Sequence, residues 1–231
     1  MLYTAPPPTS GTHDQRLVNL LSALRKANSI PQRFVYISTS GVYGDHGGRW
    51  IDECTPCRAA TPRALRRVAA EDLLRRAAAW PMTVTVLRAP GIYAADRLPL
   101  DRLRNALPVA APADDGFGNH IHADDLARFC VRALRRDGGI RIYNACDDEP
   151  TRFGDWFDLL AEHFALPRPP RLPLSELLLA LSPMQASFLK ESRRLDNRRI
   201  KRELGDVLRY RSVRAFLSSG NDALALSGKI L

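Results

Sequence analysis

Residues 33–45 read RFVYISTSGVYGD. The first eight are rich in aromatic and β-branched side chains, which predicts a buried strand over 33–40. The remainder turns to Gly and Asp, so the strand runs into a polar loop. Strands and helices alternate outward from this point. Upstream, LYTAP at 2–6 reads as a strand, and 13–27 carries Leu17, Val18, Leu21 and Leu24 at helical spacing. Downstream, a helix starts at Thr61, which can cap it, with Pro62 in its first turn and Leu65, Val68, Ala69 and Leu73 as its apolar side. MTVTVLRAP at 82–90 is a strand. A helix over 124–136 presents Leu126, Phe129, Cys130 and Ala133 and stops at Gly138. IRIYNAC at 140–146 is a strand, and TRFGDWFDLLAEHFALP is an amphipathic helix with Phe153, Trp156, Phe157, Leu160 and Phe164 on one face.

This rhythm predicts an α/β fold, a doubly wound parallel sheet with helices on both faces. Ligands in such sheets bind beyond the carboxyl ends of the strands. The segments that matter are therefore TAPPP, STSGVYGD, RAPGIYAAD and NACDDEP. After residue 150 helices dominate, prolines cluster in LPRPPRLPL, and the basic segment ESRRLDNRRIKRELG follows. The division expected is a sheet domain over 1–150 and a smaller, mainly helical lobe over 151–231.

Composition narrows the function. The net charge of +9 raises nucleic acid as a partner. Only four of the 34 basic residues are lysine, and they are interspersed with acids, so no nucleic-acid partner is expected. No apolar run is long enough for a membrane span. The first residues lack the features of a signal peptide, which makes the cytoplasm the default location. Cys54 and Cys57 form a C-x-x-C within a polar, Pro-containing loop. Cys130 and Cys146 are too far apart in sequence to complete a zinc site, so the motif reads as coincidence.

YISTSGVYGD, LRAPGIYAADR, NHIHADDLA, YNACDDEP and RRLDNRRIKRELG, in this order, resemble the successive signatures of the extended short-chain dehydrogenase/reductases. The nearest group is the NAD-dependent epimerase/dehydratase proteins that act on nucleotide sugars. The resemblance covers about residues 1–212. It implies a Rossmann-like fold, NAD or NADP as cofactor, a small-molecule substrate such as a nucleotide sugar, and a homodimer as one possible assembly.

The resemblance also assigns residues. Thr39 takes the place of the Ser or Thr that hydrogen-bonds the reacting hydroxyl or carbonyl, and Tyr43 lies beside it, lining the site or simply packed. Pro90, Gly91 and Ile92 match the loop that contacts the nicotinamide, and Ala5 and Pro6 the approach to the cofactor ribose. Asn119 and His122 fall in the segment that lines the substrate cleft. His120 and His122 stand beside Asp124 and Asp125, where a structural or substrate-lining role is favoured over a metal, and the acids complement a helix dipole. Arg193, Arg194 and Arg198 either meet a substrate diphosphate or form a solvated face.

Two departures stand out. The family's helix carries Tyr-x-x-x-Lys, where the Tyr is the general acid/base and the Lys holds the nicotinamide ribose. TPRALRRVAAE at 61–71 places Arg63 and Arg67 at those positions. Arginine keeps its proton near neutral pH, so Arg63 cannot be a base. Arg67 could hold a ribose or phosphate oxygen, or both arginines could be solvated. Further, no G-x-x-G-x-x-G pyrophosphate cradle occurs. LYTAPPP corresponds to the family's fourth strand. An N-terminally truncated sheet is therefore expected, with about 60–75 residues upstream of Met1 (three βα units) carrying the glycine-rich turn. Without them, weak NAD(P) binding and poor solubility are expected. An atypical epimerase, dehydratase or reductase, a non-catalytic dinucleotide-binding sensor or scaffold, and an inactive fragment all remain open.

Overall fold

Phe34 and Tyr36 point to one face of a strand and Val35 to the other, and all three are completely buried. A strand buried on both faces must lie inside a layered sheet. The structure, a computed structural model, describes residues 1–77, 79–181, 186–187 and 189–222. Its central sheet holds four parallel strands in sequence order: β1 (Leu2–Tyr3), β2 (Arg33–Thr39), β3 (Thr83–Ala89) and β4 (Ile140–Asn144). The α/β, Rossmann-like class expected from the alternation is the one observed.

Two helices cover one face, α1 (Gln15–Lys26) and α2 (Pro62–Ala77). Leu17 and Leu21 from α1 and Ala70, Leu74 and Ala77 from α2 pack on Phe34, Tyr36, Val84 and Val86. The other face is covered by α3 (Ala123–Ala133), whose Leu126, Phe129, Cys130 and Ala133 meet Val35, Leu87 and Tyr143 as its periodicity predicts. A fully buried side chain of this size contributes about 1.5–3 kcal/mol, so the two apolar layers dominate the stability of the sheet.

Several expectations need correction. The strand expected over 2–6 is only Leu2–Tyr3, because Pro6, Pro7 and Pro8 follow and have no N–H to donate to a ladder. The apolar side assigned to α2 is also rotated. Leu65 is 49% exposed, whereas Ala64, Arg66, Arg67, Ala70 and Glu71 are buried. The buried face of this helix is partly ionic, which defeats a reading by hydrophobic period. In α4 (Phe153–His163), Trp156 and Leu160 are buried but Phe153 and Phe157 only half so.

The basic segment does not stay within a separate lobe. Arg194–Leu195 pairs in parallel with Trp50–Ile51, and α5 (Arg198–Leu204) inserts Ile200 and Leu204 into the α3 side of the sheet core. Asp125, in the first turn of α3, accepts from the backbone N–H groups of Arg209 and Tyr210 at 2.8 and 2.9 Å. Residues 223–231 of the expected lobe lie outside the described residues. Among the described residues, no helix is long and apolar enough to cross a membrane.

Candidate active site

The β2 strand ends at Thr39, whose hydroxyl accepts from the Gly41 N–H at 3.2 Å and so caps the short 3₁₀ turn Ser40–Tyr43. That turn ends at Gly44, with φ of 67°. A Cβ on Gly44 would lie 2.1 Å from the Arg58 carbonyl oxygen, so only glycine fits. A Cβ added at Gly41 would sit 3.6 Å from Thr39 Oγ1 and 3.9 Å from the Ala64 Cβ. The first turn of α2 is thus pressed against the Thr39 loop. Thr61 caps that helix, accepting from the Ala64 N–H at 3.2 Å as its position predicts.

Beyond the end of β3, Gly91–Tyr93 pairs in parallel with His120–His122. Between this ribbon and the start of α2 lies a cleft of about 710 Å³. Thr39, Arg63, Pro90, Gly91, Ile92 and Asn119 line it. With His120 and Arg193, eight of the site residues singled out from the sequence meet in one cavity, at the carboxyl ends of β2 and β3 where a doubly wound sheet binds its ligands.

The others lie elsewhere. Tyr43 is completely buried and donates from its hydroxyl to Asn144 Oδ1 at 2.7 Å. The Arg88 guanidinium covers its ring at 4.6 Å, and burial pushes its pKa up. Packing, one of its two open readings, is the one observed. Arg67 does not reach the cleft. It is 8% exposed and turns into the sheet, donating to the Tyr36 hydroxyl and the Ile37 carbonyl, both at 2.9 Å. His122, expected at the substrate, is instead the cap of α3. Its Nδ1 accepts from the Asp124 N–H at 3.2 Å, and its ring packs on Tyr93, Tyr210 and Phe216. Arg194 donates to the Gly48 carbonyl and stacks over Trp50 and Phe117, while its neighbour Arg193 lines the cleft. Arg198 is exposed and paired with Asp196. Ala5 and Pro6 follow β1 and are not among the cleft-lining residues; the Pro6 carbonyl accepts from Arg16 at 3.2 Å.

Sequence reasoning missed Arg66 and Glu191, whereas His120, read as structural or substrate-lining, does line the cleft. Arg66 lies one turn from Arg63, and helical spacing alone could have placed both on one wall. Glu191 pairs with Arg193 at 2.7 Å. His120 stacks flat on Trp156 with ring centroids 4.9 Å apart, and its Nδ1 has no partner among the described residues. Burial lowers its pKa to about 4, so the ring is neutral at pH 7. No sequence signal could have distinguished it from His122.

Behind the cleft, Arg88 on β3 grips Glu71 on α2 with two hydrogen bonds, at 3.1 and 2.6 Å, and Ser38 donates to the same carboxylate at 2.7 Å. Both charged side chains are at most 2% exposed. This pair fixes α2 to the strand ends, and with it the angle at which Arg63 meets Thr39. The side chain of Asn119 donates to the Arg193 carbonyl at 2.9 Å and accepts from the Leu195 N–H at 2.8 Å, which holds the Glu191–Arg193 wall in place. Among the described residues, no three His, Cys, Asp or Glu side chains gather as metal ligands.

Residues 15–146 match the family model for the NAD dependent epimerase/dehydratase family, and the chain belongs to that family. A solved structure of a functionally unknown conserved protein from Silicibacter pomeroyi is 33% identical. It superposes with a TM-score of 0.83 over 96% of this chain and 76% of that one. MoeE5, solved with UDP-glucuronic acid and NAD, is 21% identical, with a TM-score of 0.73 over 94% of this chain and 76% of its own. Human epimerase family protein SDR39U1, solved with NADPH, is 18% identical, with a TM-score of 0.73 over 91% of this chain and 71% of its own. The last two show a shared fold. None of the curated proteins compared with the chain matches it.

Proposed function

We propose that this chain is an atypical NAD(P)-dependent epimerase, dehydratase or reductase of nucleotide sugars. The observation that carries the reading is the convergence of Thr39, Arg63 and the Pro90–Ile92 strand on one cleft at the ends of β2 and β3. Relatives of the same fold hold NAD together with UDP-glucuronic acid or UDP-glucose.

The cleft fits the nicotinamide end of a dinucleotide. Pro90 and Ile92 offer apolar surface, and Gly91 presses so close to the neighbouring strand that a Cβ would lie 3.1 Å from the His120 ring. For the pyrophosphate end, these residues contain no glycine-rich turn. When bound, the dinucleotide supplies hydride transfer. The protein's part is to orient the substrate and manage charge. Because the Thr39 oxygen accepts from Gly41, its O–H is left to donate to a substrate oxygen. Arg63 can only donate, so it stabilises negative charge there and cannot remove a proton.

The absence of the acid/base tyrosine favours a second reading, a dinucleotide-binding protein without turnover. Incubation with NAD(H) or NADP(H) and a panel of nucleotide sugars, followed by chromatography and NMR of the sugar products, separates the two. Turnover that falls by about 10²–10³-fold in Thr39→Val supports the enzyme. Turnover unchanged in that variant removes Thr39 from the mechanism. Binding without turnover for every sugar supports the second reading.

A further inference from the structure

Arg63, Arg66 and Arg193 line the cleft, and an arginine holds its proton near pH 7. Glu191 is the one carboxylate among the described lining residues, and it pairs with Arg193 at 2.7 Å. His120 is the remaining titratable side chain of that wall.

Its ring is held in place. It lies flat on Trp156, with centroids 4.9 Å apart and planes 8° apart, and Tyr93 meets it edge-on at 6.4 Å. The backbone beneath is fixed, because the His120 carbonyl accepts from the Asp147 N–H at 2.8 Å. A Cβ added at Gly91 would lie 3.1 Å from Cδ2 and 3.7 Å from Nε2 of the ring. Glycine at this position leaves that edge of the imidazole bare.

The two ring nitrogens differ. Nδ1 is sealed from solvent and has no partner, whereas Nε2 is not sealed and makes no hydrogen bond among the described residues. A charged ring would need an acceptor at both N–H groups, and burial keeps the ring neutral at pH 7. A neutral ring carries its proton on one nitrogen. Interiors tolerate an unmet acceptor better than an unmet N–H, which favours the proton on Nε2. The cleft then receives a fixed, uncharged N–H donor. Thr39 stands opposite Ala89 in the register of β2 and β3, and two residues on Gly91 stands opposite His120. The hydroxyl and the imidazole thus serve the same end of the cleft.

We propose that His120 is a catalytic residue whose Nε2–H donates, alongside Thr39, to the reacting oxygen of the substrate and stabilises the negative charge that develops there. This rests on the proposed function. Reducing a keto group forms a C–H bond with hydride drawn from the reduced nicotinamide, moves the C=O π pair onto oxygen, and ends when water protonates that oxygen. Oxidation of the alcohol is the reverse. A preorganised neutral donor stabilises this charge without giving up its own proton.

NMR of the ring nitrogens in the full chain, with His120 assigned by its loss in His120→Phe, reads the tautomer at pH 7. The proton is expected on Nε2. A proton on Nδ1 instead, or a charged ring, overturns the proposal whether or not the protein is an enzyme. The second arm is the reduction of UDP- and dTDP-linked 4-keto sugars with NADH or NADPH. His120→Phe, which keeps the stack on Trp156, should lower kcat about 10²–10³-fold without a matching rise in KM. His120→Gln keeps an N–H donor but not the aromatic stack, and should recover part of that loss. A purely structural role predicts the opposite order, with Phe the better substitute. Turnover unchanged in His120→Phe, or lower in His120→Gln than in His120→Phe, overturns the proposal and leaves the proposed function standing. A parent that reduces none of these sugars and converts no other nucleotide sugar overturns both. If His120→Phe fails to fold, as judged by circular dichroism, the tautomer of the parent (assigned then from His120→Gln) decides.

Discussion

His120 is held flat against Trp156 inside the cleft wall, and its environment makes a measurable prediction. Burial lowers its pKa from 6.5 to about 4. In the unfolded chain the ring takes up a proton near pH 6.5, while in the folded state it resists until near pH 4. The folded state is therefore fully favoured above pH 6.5 and loses stability as pH falls from 6.5 towards 4. The shift corresponds to about 3 kcal/mol. His120→Phe keeps the stack on Trp156 and removes the titration, so urea midpoints measured from pH 7 to pH 4 should fall less in the variant. Parallel pH profiles for parent and variant would show that His120 is solvated. At this scale the sequence was partly legible. Thr39 and Gly91 sit at strand ends in recognisable motifs, and their location follows from the fold. Tyr43 and His122 sit in equally recognisable motifs but point into the core, because a turn or a cap decides side-chain direction and neither has a periodic signature.

Helix α2 is the element on which sequence and structure differ most. Its apolar residues suggest one face, yet the buried face carries Arg66, Arg67 and Glu71. An ionic buried face is invisible to a hydrophobic pattern because its partners come from distant strands, here Ser38 and Arg88. The strands and α3 were legible for the opposite reason, since their partners are uniformly apolar. The Arg88–Glu71 pair anchors this helix. Burial opposes the charge on Arg88, but the hydrogen-bonded Glu71 carboxylate more than offsets it and raises the arginine pKa. Removing one partner leaves the other buried and alone. Glu71→Gln is thus expected to cost about 3–5 kcal/mol, measured by chemical denaturation. The double variant Glu71→Leu with Arg88→Met should recover part of that loss. A single variant within 1 kcal/mol of the parent would show that the pair contributes nothing to holding α2.

Across the whole molecule, residues 191–204 return to the sheet and wall the cleft. The composition shift after residue 150 predicts a separate lobe. It does not reveal that residues 194–204 pack on the sheet, because pairing between Arg194–Leu195 and Trp50–Ile51 spans more than a hundred residues of sequence. Asn119 holds this return in place. Its amide bonds the Arg193 carbonyl and the Leu195 N–H from a position 8% exposed, so water cannot substitute for either contact. Asn119→Ala leaves a buried acceptor and a buried donor unmatched, at a cost of about 2–4 kcal/mol. The effect should be local to the return. The Arg194 and Asp196 amides, which bond to the Arg49 and Ile51 carbonyls at 2.9 Å, should exchange with solvent about 10–1000-fold faster in the variant. Amides in the middle of β2 should keep rates set by global unfolding. The Glu191–Arg193 wall moves with this segment, so ligand affinity in the cleft should drop as well. Unchanged exchange at Arg194 and Asp196 would mean that the Trp50–Ile51 pairing and the α5 packing suffice on their own, and that Asn119 faces the cleft as a ligand contact instead of a brace.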